Sequence, residues 1–465
     1  MSWTWILFTH GVSVQVAFIV TSILSMVVVA SLVRKRRAPA STLAWILAMV
    51  LLPPIGIPLY LIFGDRKLES IRKGKGALQL TDARNAFDLP VAPVGENLLG
   101  NLNIPPATTG NLLKLHTTGE EAFADLIAGI DGAKRRIHIQ TYEMRNDAVG
   151  KAILERLAAR AKEGLEVRLL LDALGAFRMS RLALWRFKRA GGRFAWFLRV
   201  WPLIPARSNL RNHRKIYLFD DTVVIAGGRN LTTDYLGPTP RPARWADLSF
   251  HLTGPAVAGY AQIFAADWNF AAKDKLVVAA DGPPAKSGDA VVQLVPAGPD
   301  MLQDALYEMT ITALFEARKR LWIVTPYFVP DVTLVEALRL AAVRGVDVRI
   351  VVPADSMQRI TDLARGPYLR DLAAAGAKVL LHKGMVHAKV VLVDDQLAMV
   401  GSANFDQRSM FLNFEVMSLI YSAPEIAAVA SYVEALTAQS QPFGVKVSVT
   451  RDTLEGLARL ISPVL

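Results

Sequence analysis

The stretch "GMVHAKVVLVDD" (Gly384–Asp395) holds His387, Lys389 two residues on, and an apolar run ending in Asp394 and Asp395. Taken alone it is a buried strand with polar ends. A second copy changes that reading. "RNHRKIYLFDD" (Arg211–Asp221) repeats the spacing with His213, Lys215 and Asp220. Both copies run on through a second apolar stretch to a glycine-led asparagine, as Gly227-Gly228-Arg229-Asn230 and Gly401-Ser402-Ala403-Asn404. Residues i and i+2 of a strand share a face, so each histidine and lysine project together. The Asp-Asp pair is a turn signal, which predicts two hairpins. Given a histidine, the lysine and aspartate would follow by chance only about once in 400. Two copies at matching points of a repeat make a functional pair.

Working outward, the whole second part of the chain runs twice through one pattern. "RRIHIQTYEM" (Arg135–Met144) matches "KRLWIVTPYF" (Lys319–Phe328), each an apolar strand ending at a threonine and a tyrosine. "LERLAARAKEGLEVRLLLDALG" (Leu154–Gly175) matches "VEALRLAAVRGVDVRIVVPADS" (Val335–Ser356). Each reads as an amphipathic helix, a glycine stop and a buried strand. The copies are offset by about 181 to 184 residues, as expected for a duplicated domain. Strand, helix, strand in both halves predicts an α/β fold with a largely parallel sheet. The resulting division is a membrane-anchoring part over 1–66, a linker over 67–115, and two domains over 116–285 and 286–465.

Composition narrows the chemistry. Just over half of the 465 residues, 52%, are hydrophobic, which suggests a membrane part. With no cysteine in the chain, disulfides, zinc–thiolate sites, iron–sulfur clusters and thiol nucleophiles are excluded. Lys and Arg number 53 against 41 Asp and Glu, a net +12 that favours anionic partners. Val12–Val33 carries no charge and at about 1.5 Å per residue reaches roughly 33 Å, enough to span a bilayer. The basic run "RKRR" (Arg34–Arg37) follows it rather than preceding it, the opposite order to a cleaved signal peptide. We read a retained anchor. Ser41–Gly64 is also apolar but broken by "PPIGIP" (Pro53–Pro58), and both a second span and a re-entrant hairpin remain open. The re-entrant form would leave both basic clusters in the cytoplasm, which favours a cytoplasmic body.

The doubled motif, H-x-K-x-x-x-x-D followed by G-S-x-N, resembles that of the phospholipase D superfamily. More narrowly the chain is similar to the bacterial cardiolipin synthases. That likeness rests on the paired apolar N-terminal segments, "TPYFVPD" (Thr325–Asp331), "SANFDQRSMFLNFE" (Ser402–Glu415) and the terminal "RLISPVL". The resemblance covers essentially the whole chain. It implies two tandem phospholipase D-like α/β domains packed as a pseudo-twofold pair behind N-terminal membrane helices. One departure is "GGRN" in the first half, so a motif serine is present only at Ser402.

A phosphodiester held between the halves would meet Lys215 and Lys389, with Asn230, Ser402 and Asn404 as further phosphate-binding groups. Positive charge there matches the negative charge gained by a pentacoordinate transition state. No metal or cofactor is called for: the family is metal-independent, and His382 with His387 makes a poor metal pair. The resemblance implies a covalent phosphatidyl-histidine intermediate. One histidine attacks phosphorus while the other releases the leaving alcohol and activates the incoming one. We assign His213 as nucleophile and His387 as acid/base; the symmetry of the motif leaves the reverse open. Asp220 and Asp394 complete the two catalytic motifs, and their place at the hairpin tips reads as fixing the turns. By the resemblance, Asp247 in "RWADLSF" and Glu415 in "LNFE" are the acids that orient the histidines.

Between Asp172 and Asp220 no acidic residue occurs, while Arg178–Lys215 carries 11 Lys and Arg interleaved with Trp185, Phe187, Phe194, Trp196, Phe197 and Trp201. Such a stretch suits a lipid interface or single-stranded nucleic acid. The anchor favours lipid. The resulting expectation is a phosphatidyl transfer between two phosphatidylglycerol molecules at the bacterial inner membrane, giving cardiolipin and glycerol, with anionic lipids as partners and no nucleic acid. Rival readings are a phospholipase D or phosphatidylserine synthase, a nuclease of the same superfamily, and a non-catalytic membrane scaffold. The scaffold would have no use for two intact His-Lys pairs. The duplication supplies both motifs in one chain, so dimerisation is not needed to complete the site.

Overall fold

The computed structural model describes residues 39–52, 56, 60, 74–80, 94–199, 209–278 and 286–460. The Val12–Val33 anchor, the "RKRR" run and Trp201 lie outside them. Two compact units are present. In the first, the helix Pro39–Leu51 buries Met49 against Tyr60, whose ring meets Trp45 edge-on at 5.5 Å. Its 13 residues extend only about 20 Å, short of a bilayer. No helix among the described residues is long and apolar enough to cross a membrane.

The second unit carries both motifs. Its strands are β1 (Thr108–His116), β2 (Arg136–Thr141), β3 (Glu166–Asp172), β4 (Arg193–Phe197), β5 (Ile216–Phe219), β6 (Val223–Gly227), β7 (Ser249–Thr253), β8 (Ala290–Ala297), β9 (Arg320–Val324), β10 (Phe328–Val329), β11 (Asp347–Pro353), β12 (Lys378–His382), β13 (Val390–Val393), β14 (Leu397–Gly401), β15 (Phe405–Asp406), β16 (Glu415–Ile420) and β17 (Ser440–Pro442). Fifteen of them form one sheet in the order β17-β12-β11-β9-β13-β14-β16-β8-β1-β7-β6-β5-β2-β3-β4. Read outward from the β8–β1 pair, the two halves follow the same order, so a pseudo-twofold axis passes between β1 and β8.

Alternation along the strands sets the layers. Ile137 and Ile139 of β2, with Val167, Leu169 and Leu171 of β3, join Leu126, Ile153, Leu157 and Phe187 in one core. His138 points to the other face and stacks on Phe264 of the helix Val257–Ala272 at 4.7 Å. The helices start where the sequence offers caps. Thr118 and Glu121 form a capping box, and Asp147, Ser180 and Asp331 each accept a backbone N–H of the first turn. The glycine stops Gly164 and Gly345 both take positive φ, 94° and 86°, which a side chain would disfavour.

Two sequence expectations need correction. The sheet is mixed rather than largely parallel: only β2–β3–β4 and β9–β11–β12 pair in parallel within it. The β5–β6 and β13–β14 hairpins pair antiparallel with their neighbours, as do β7, β16 and the central β1–β8 junction. Local strand-helix-strand units are parallel by necessity, but the hairpins dilute them. The interval 67–115 is also more than a linker. Thr108–His116 is the central strand β1, which pairs with β7 on one side and β8 on the other. Leu113 is buried while Leu112 is exposed, so β1 carries little apolar signal of its own and is fixed by distant partners.

Candidate active site

Each motif folds as its spacing requires. β5 and β13 run into hairpins at Asp220 and Asp394, with β6 and β14 returning. Both aspartates adopt the left-handed region, φ 55° and 50°. Their carboxylates accept backbone N–H groups of the opposite strand start. Asp220 binds Lys134, Arg135 and Arg136 at 2.7, 2.7 and 2.9 Å. Asp394 binds Arg318, Lys319 and Arg320 at 3.0, 2.7 and 2.9 Å. They clamp the tips of the hairpins, at the opposite end of the strands from the histidines.

At the other end the two histidines meet. Their ring centroids stand 6.5 Å apart, and both side chains are buried. Nδ1 of His213 lies 3.0 Å from Glu415 Oε1 and 3.0 Å from the Ser402 carbonyl. Nδ1 of His387 lies 2.8 Å from Asp247 Oδ2. Each acid therefore serves the histidine of the opposite half. Backbone bonds tie the same segments together: His213 N donates to Phe414 O at 2.9 Å and His387 N to Ala246 O at 2.7 Å. Tyr142 meets the His213 ring edge-on at 5.1 Å, and Tyr235 and Trp245 flank His387 at 4.9 and 5.8 Å.

The charges follow from burial. Burial pushes His213 down to about 4, against the pull of Glu415, and His387 down to about 3, helped by Lys389. Both are neutral imidazoles at neutral pH. Burial alone would raise Asp247 and Glu415, yet both fall below the usual carboxylate range because His387 and His213 respectively, and the lysines, face them. Burial lowers Lys389 to about 8 and Lys215 well below its ordinary value. Lys389 Nζ reaches His387 Nε2 at 3.0 Å, and Lys215 Nζ donates to His213 O at 2.7 Å. The charge of Lys389 further lowers Lys215, and two buried cations that repel in this way favour a bound anion.

The remaining motif residues divide. Asn230 Oδ1 accepts from Glu143 N at 3.3 Å, which fixes its amide. Asn404 is buried beside Asp406, and its Oδ1 is unpaired among the described residues; as an acceptor, that oxygen suits a substrate hydroxyl rather than a phosphate oxygen. Ser402 turns away from that role. Its hydroxyl donates to Glu415 Oε2 at 2.6 Å and accepts from Val416 N at 3.0 Å, so it holds the acid that holds His213. Gly228 takes its place in the first half, where a Cβ would stand 2.1 Å from Asp247 Oδ1. The "GGRN" departure thus has a steric cause: Asp247 occupies that space.

Sequence reasoning missed the support behind His213. Arg214 is fully buried, its Nη1 2.9 Å from Asp267 Oδ1 and its Nε donating to Glu415 O at 3.0 Å. Lys75 inserts between Asp267, at 2.6 Å, and Asp300. The signal present was the absence of acids around 172–220, which obliges Arg214 to find its counterion far away. The basic stretch also splits: Phe187 and Phe197 are core, whereas Trp185 is 51% exposed. No group of three or more His, Cys, Asp or Glu among the described residues is arranged to hold a metal.

A duplicated α/β unit that sets two His-Lys hairpins face to face is the architecture of the phospholipase D class. A family model described as "Cardiolipin synthase, PLD-like domain" matches residues 126–268 and 310–437, and one described as "Phospholipase_D-nuclease N-terminal" matches 23–64. Cardiolipin synthase 1 of Bacillus cereus is 33% identical over 461 residues, covering 93% of this chain and 90% of its own. The cardiolipin synthase of Geobacillus kaustophilus is 31% identical over 458 residues, with the same coverage of 93% and 90%. Among solved structures, a phosphatidylserine synthase of Haemophilus influenzae shares the fold with a TM-score of 0.59 at 16% identity, covering 76% of this chain and 95% of that one. The chain belongs to the cardiolipin synthase family of phospholipase D-like enzymes.

Proposed function

We propose that the protein transfers a phosphatidyl group from one phosphatidylglycerol to a second, releasing glycerol and forming cardiolipin at the bacterial inner membrane, with the catalytic body on the cytoplasmic side. The observation that carries this is the reciprocal hold on the two histidines: Nδ1 of each is held by a carboxylate of the opposite half, which turns Nε2 of each towards one phosphodiester, that of His387 beside Lys389 Nζ at 3.0 Å. His213 Nε2 attacks phosphorus and the bond to the leaving glycerol oxygen breaks. His387 gives that oxygen its proton. The second phosphatidylglycerol then loses a hydroxyl proton to His387 and attacks the phosphatidyl-histidine, and the bond to His213 breaks. One phosphodiester replaces another, so no nucleotide is consumed.

The proton on His387 has a physical source of stability in the complex. Burial and Lys389 keep this ring neutral in the free protein, and a bound anionic phosphodiester raises it. Lys215 and Lys389, with Asn230, surround the non-bridging oxygens. The assay is the purified full chain in phosphatidylglycerol micelles, with the lipids resolved afterwards. Cardiolipin with released glycerol is expected. Phosphatidic acid as the sole product would make it a hydrolase, and DNA cleavage without lipid turnover would make it a nuclease. Phosphate trapped on His387 in a His213→Ala protein would reverse the two histidine roles.

A further inference from the structure

We propose that Leu174, Phe177 and Trp185 of the first half, together with Met357 and Ile360 of the second, form a docking surface for an anionic phospholipid bilayer at the mouth of the active site. The proposal rests on the phospholipid reading above and adds where the body meets its substrate surface. β3 and β11 are equivalent strands of the two halves, and the chain leaving each carries these residues. Asp172 ends β3, and its carboxylate accepts both Leu174 N and Asn212 N at 2.9 Å. The loop bearing Leu174 and Phe177 thus hangs on the same side chain as the His213 segment. In the second half Gln358, between Met357 and Ile360, bonds to Tyr327, which follows β9.

These side chains are large, apolar and out in solvent. Phe177 is 66% exposed, Met357 72%, Trp185 and Ile360 51% each, and Leu174 44%. Scattered exposed apolar residues are ordinary, but matched groups at one end of the sheet mark an interaction surface. Met357 is displayed at a φ of 62°, a conformation that a non-glycine residue adopts only when its surroundings impose it.

Charge identifies the occupant. The exposed face of the helix Arg181–Arg189 carries Arg181, Arg186, Lys188 and Arg189 beside Leu182 and Trp185. Arg178 lies over the Phe177 ring at 5.4 Å and Arg189 over Trp185 at 4.9 Å. Rings at headgroup depth with guanidinium groups on phosphates suit an anionic membrane. Leu174, Met357 and Ile360 offer nothing for a base to stack on, but insert readily among acyl chains.

The chain's lack of cysteine makes the test direct. Phe177→Cys, Met357→Cys and, as control, Val343→Cys at the C-terminal end of the helix Val332–Val343, which leads into the start of β11, are each spin-labelled in the full chain reconstituted in phosphatidylglycerol vesicles. Labels at 177 and 357 are expected to be shielded from an aqueous relaxing agent and open to oxygen, and the label at 343 the reverse. Labels at 177 and 357 as water-accessible as that at 343 would overturn the proposal. So would dipolar broadening between neighbouring copies, which would make the surface a contact between chains. In parallel, Phe177→Glu/Met357→Glu is expected to slow turnover of vesicle lipid at least about tenfold while leaving water-soluble short-chain phosphatidylglycerol unaffected. An equal loss on both substrates would overturn it. Label depth is read without turnover, so failure of the docking surface and failure of the catalytic reading are separate results.

Discussion

The carboxylate of Asp247, in the first half, lies 2.8 Å from Nδ1 of His387, in the second. Glu415 returns the arrangement, 3.0 Å from Nδ1 of His213. Neither half holds a complete catalytic unit, because each histidine is oriented from across the pseudo-twofold axis.

Removing one orienting charge while keeping its shape isolates this coupling. Asp247→Asn and Glu415→Gln are each expected to lower turnover by about 10²- to 10⁴-fold, as loss of an orienting carboxylate does in other histidine sites. Circular dichroism should stay unchanged. Steady-state turnover on phosphatidylglycerol reads the effect, and activity near that of the unaltered protein would sink the orienting role.

Ser402 acts through Glu415. Ser402→Ala removes the 2.6 Å donor to that buried carboxylate and strands Val416 N, at an expected cost of about 1–3 kcal/mol in denaturant unfolding. The reciprocal change, Gly228→Ser, adds the missing motif serine but puts a Cβ against Asp247. Activity should fall rather than rise.

The hairpin aspartates separate stability from chemistry. Asp220→Ala loses an acceptor for three backbone N–H groups and places a less suitable residue at φ 55°. Asp220→Asn keeps the tolerance for that φ. We expect the alanine variant to be less stable than the asparagine variant, with turnover per folded molecule close to the unaltered protein in both. A collapse of turnover in the asparagine variant, with its stability intact, would make Asp220 catalytic.

Acid should destabilise the fold through the histidines. Both have folded values depressed below the ordinary 6.5, to about 4 and about 3. Between pH 6.5 and about 4 the unfolded chain therefore binds more protons than the folded one, and stability falls as pH falls. Thermal melting from pH 7 to 4 should show this, and the slope should flatten in His213→Ala/His387→Ala.

Lys75 is fixed between Asp267 and Asp300 with its side chain buried. Lys75→Met leaves a buried carboxylate short of a counterion, an expected loss of about 3 kcal/mol. Because Arg214 links Asp267 to the Glu415 backbone, turnover should fall with it. Unfolding midpoint and turnover measured together check both.

The sequence by itself determined the repeat, the two hairpins, the glycine stops and the His-Lys pairs. All of these are local: a period of two puts His213 beside Lys215, and an Asp-Asp pair turns the chain whatever lies around it. Composition also excluded thiol chemistry outright. Tertiary structure alone decided which acid serves which histidine, because Asp247 and Glu415 choose partners 140 and 202 residues away through sheet register. It decided that Thr108–His116 is a central strand, since β1 gains its pairing from β7 and β8 rather than from its own pattern. It also moved Ser402 from the phosphate to Glu415, and placed Lys75 beneath the site. The spacing of a motif fixes which side chains leave one strand together. Where they arrive depends on contacts between segments far apart in the chain, and a pattern read along one strand does not contain those.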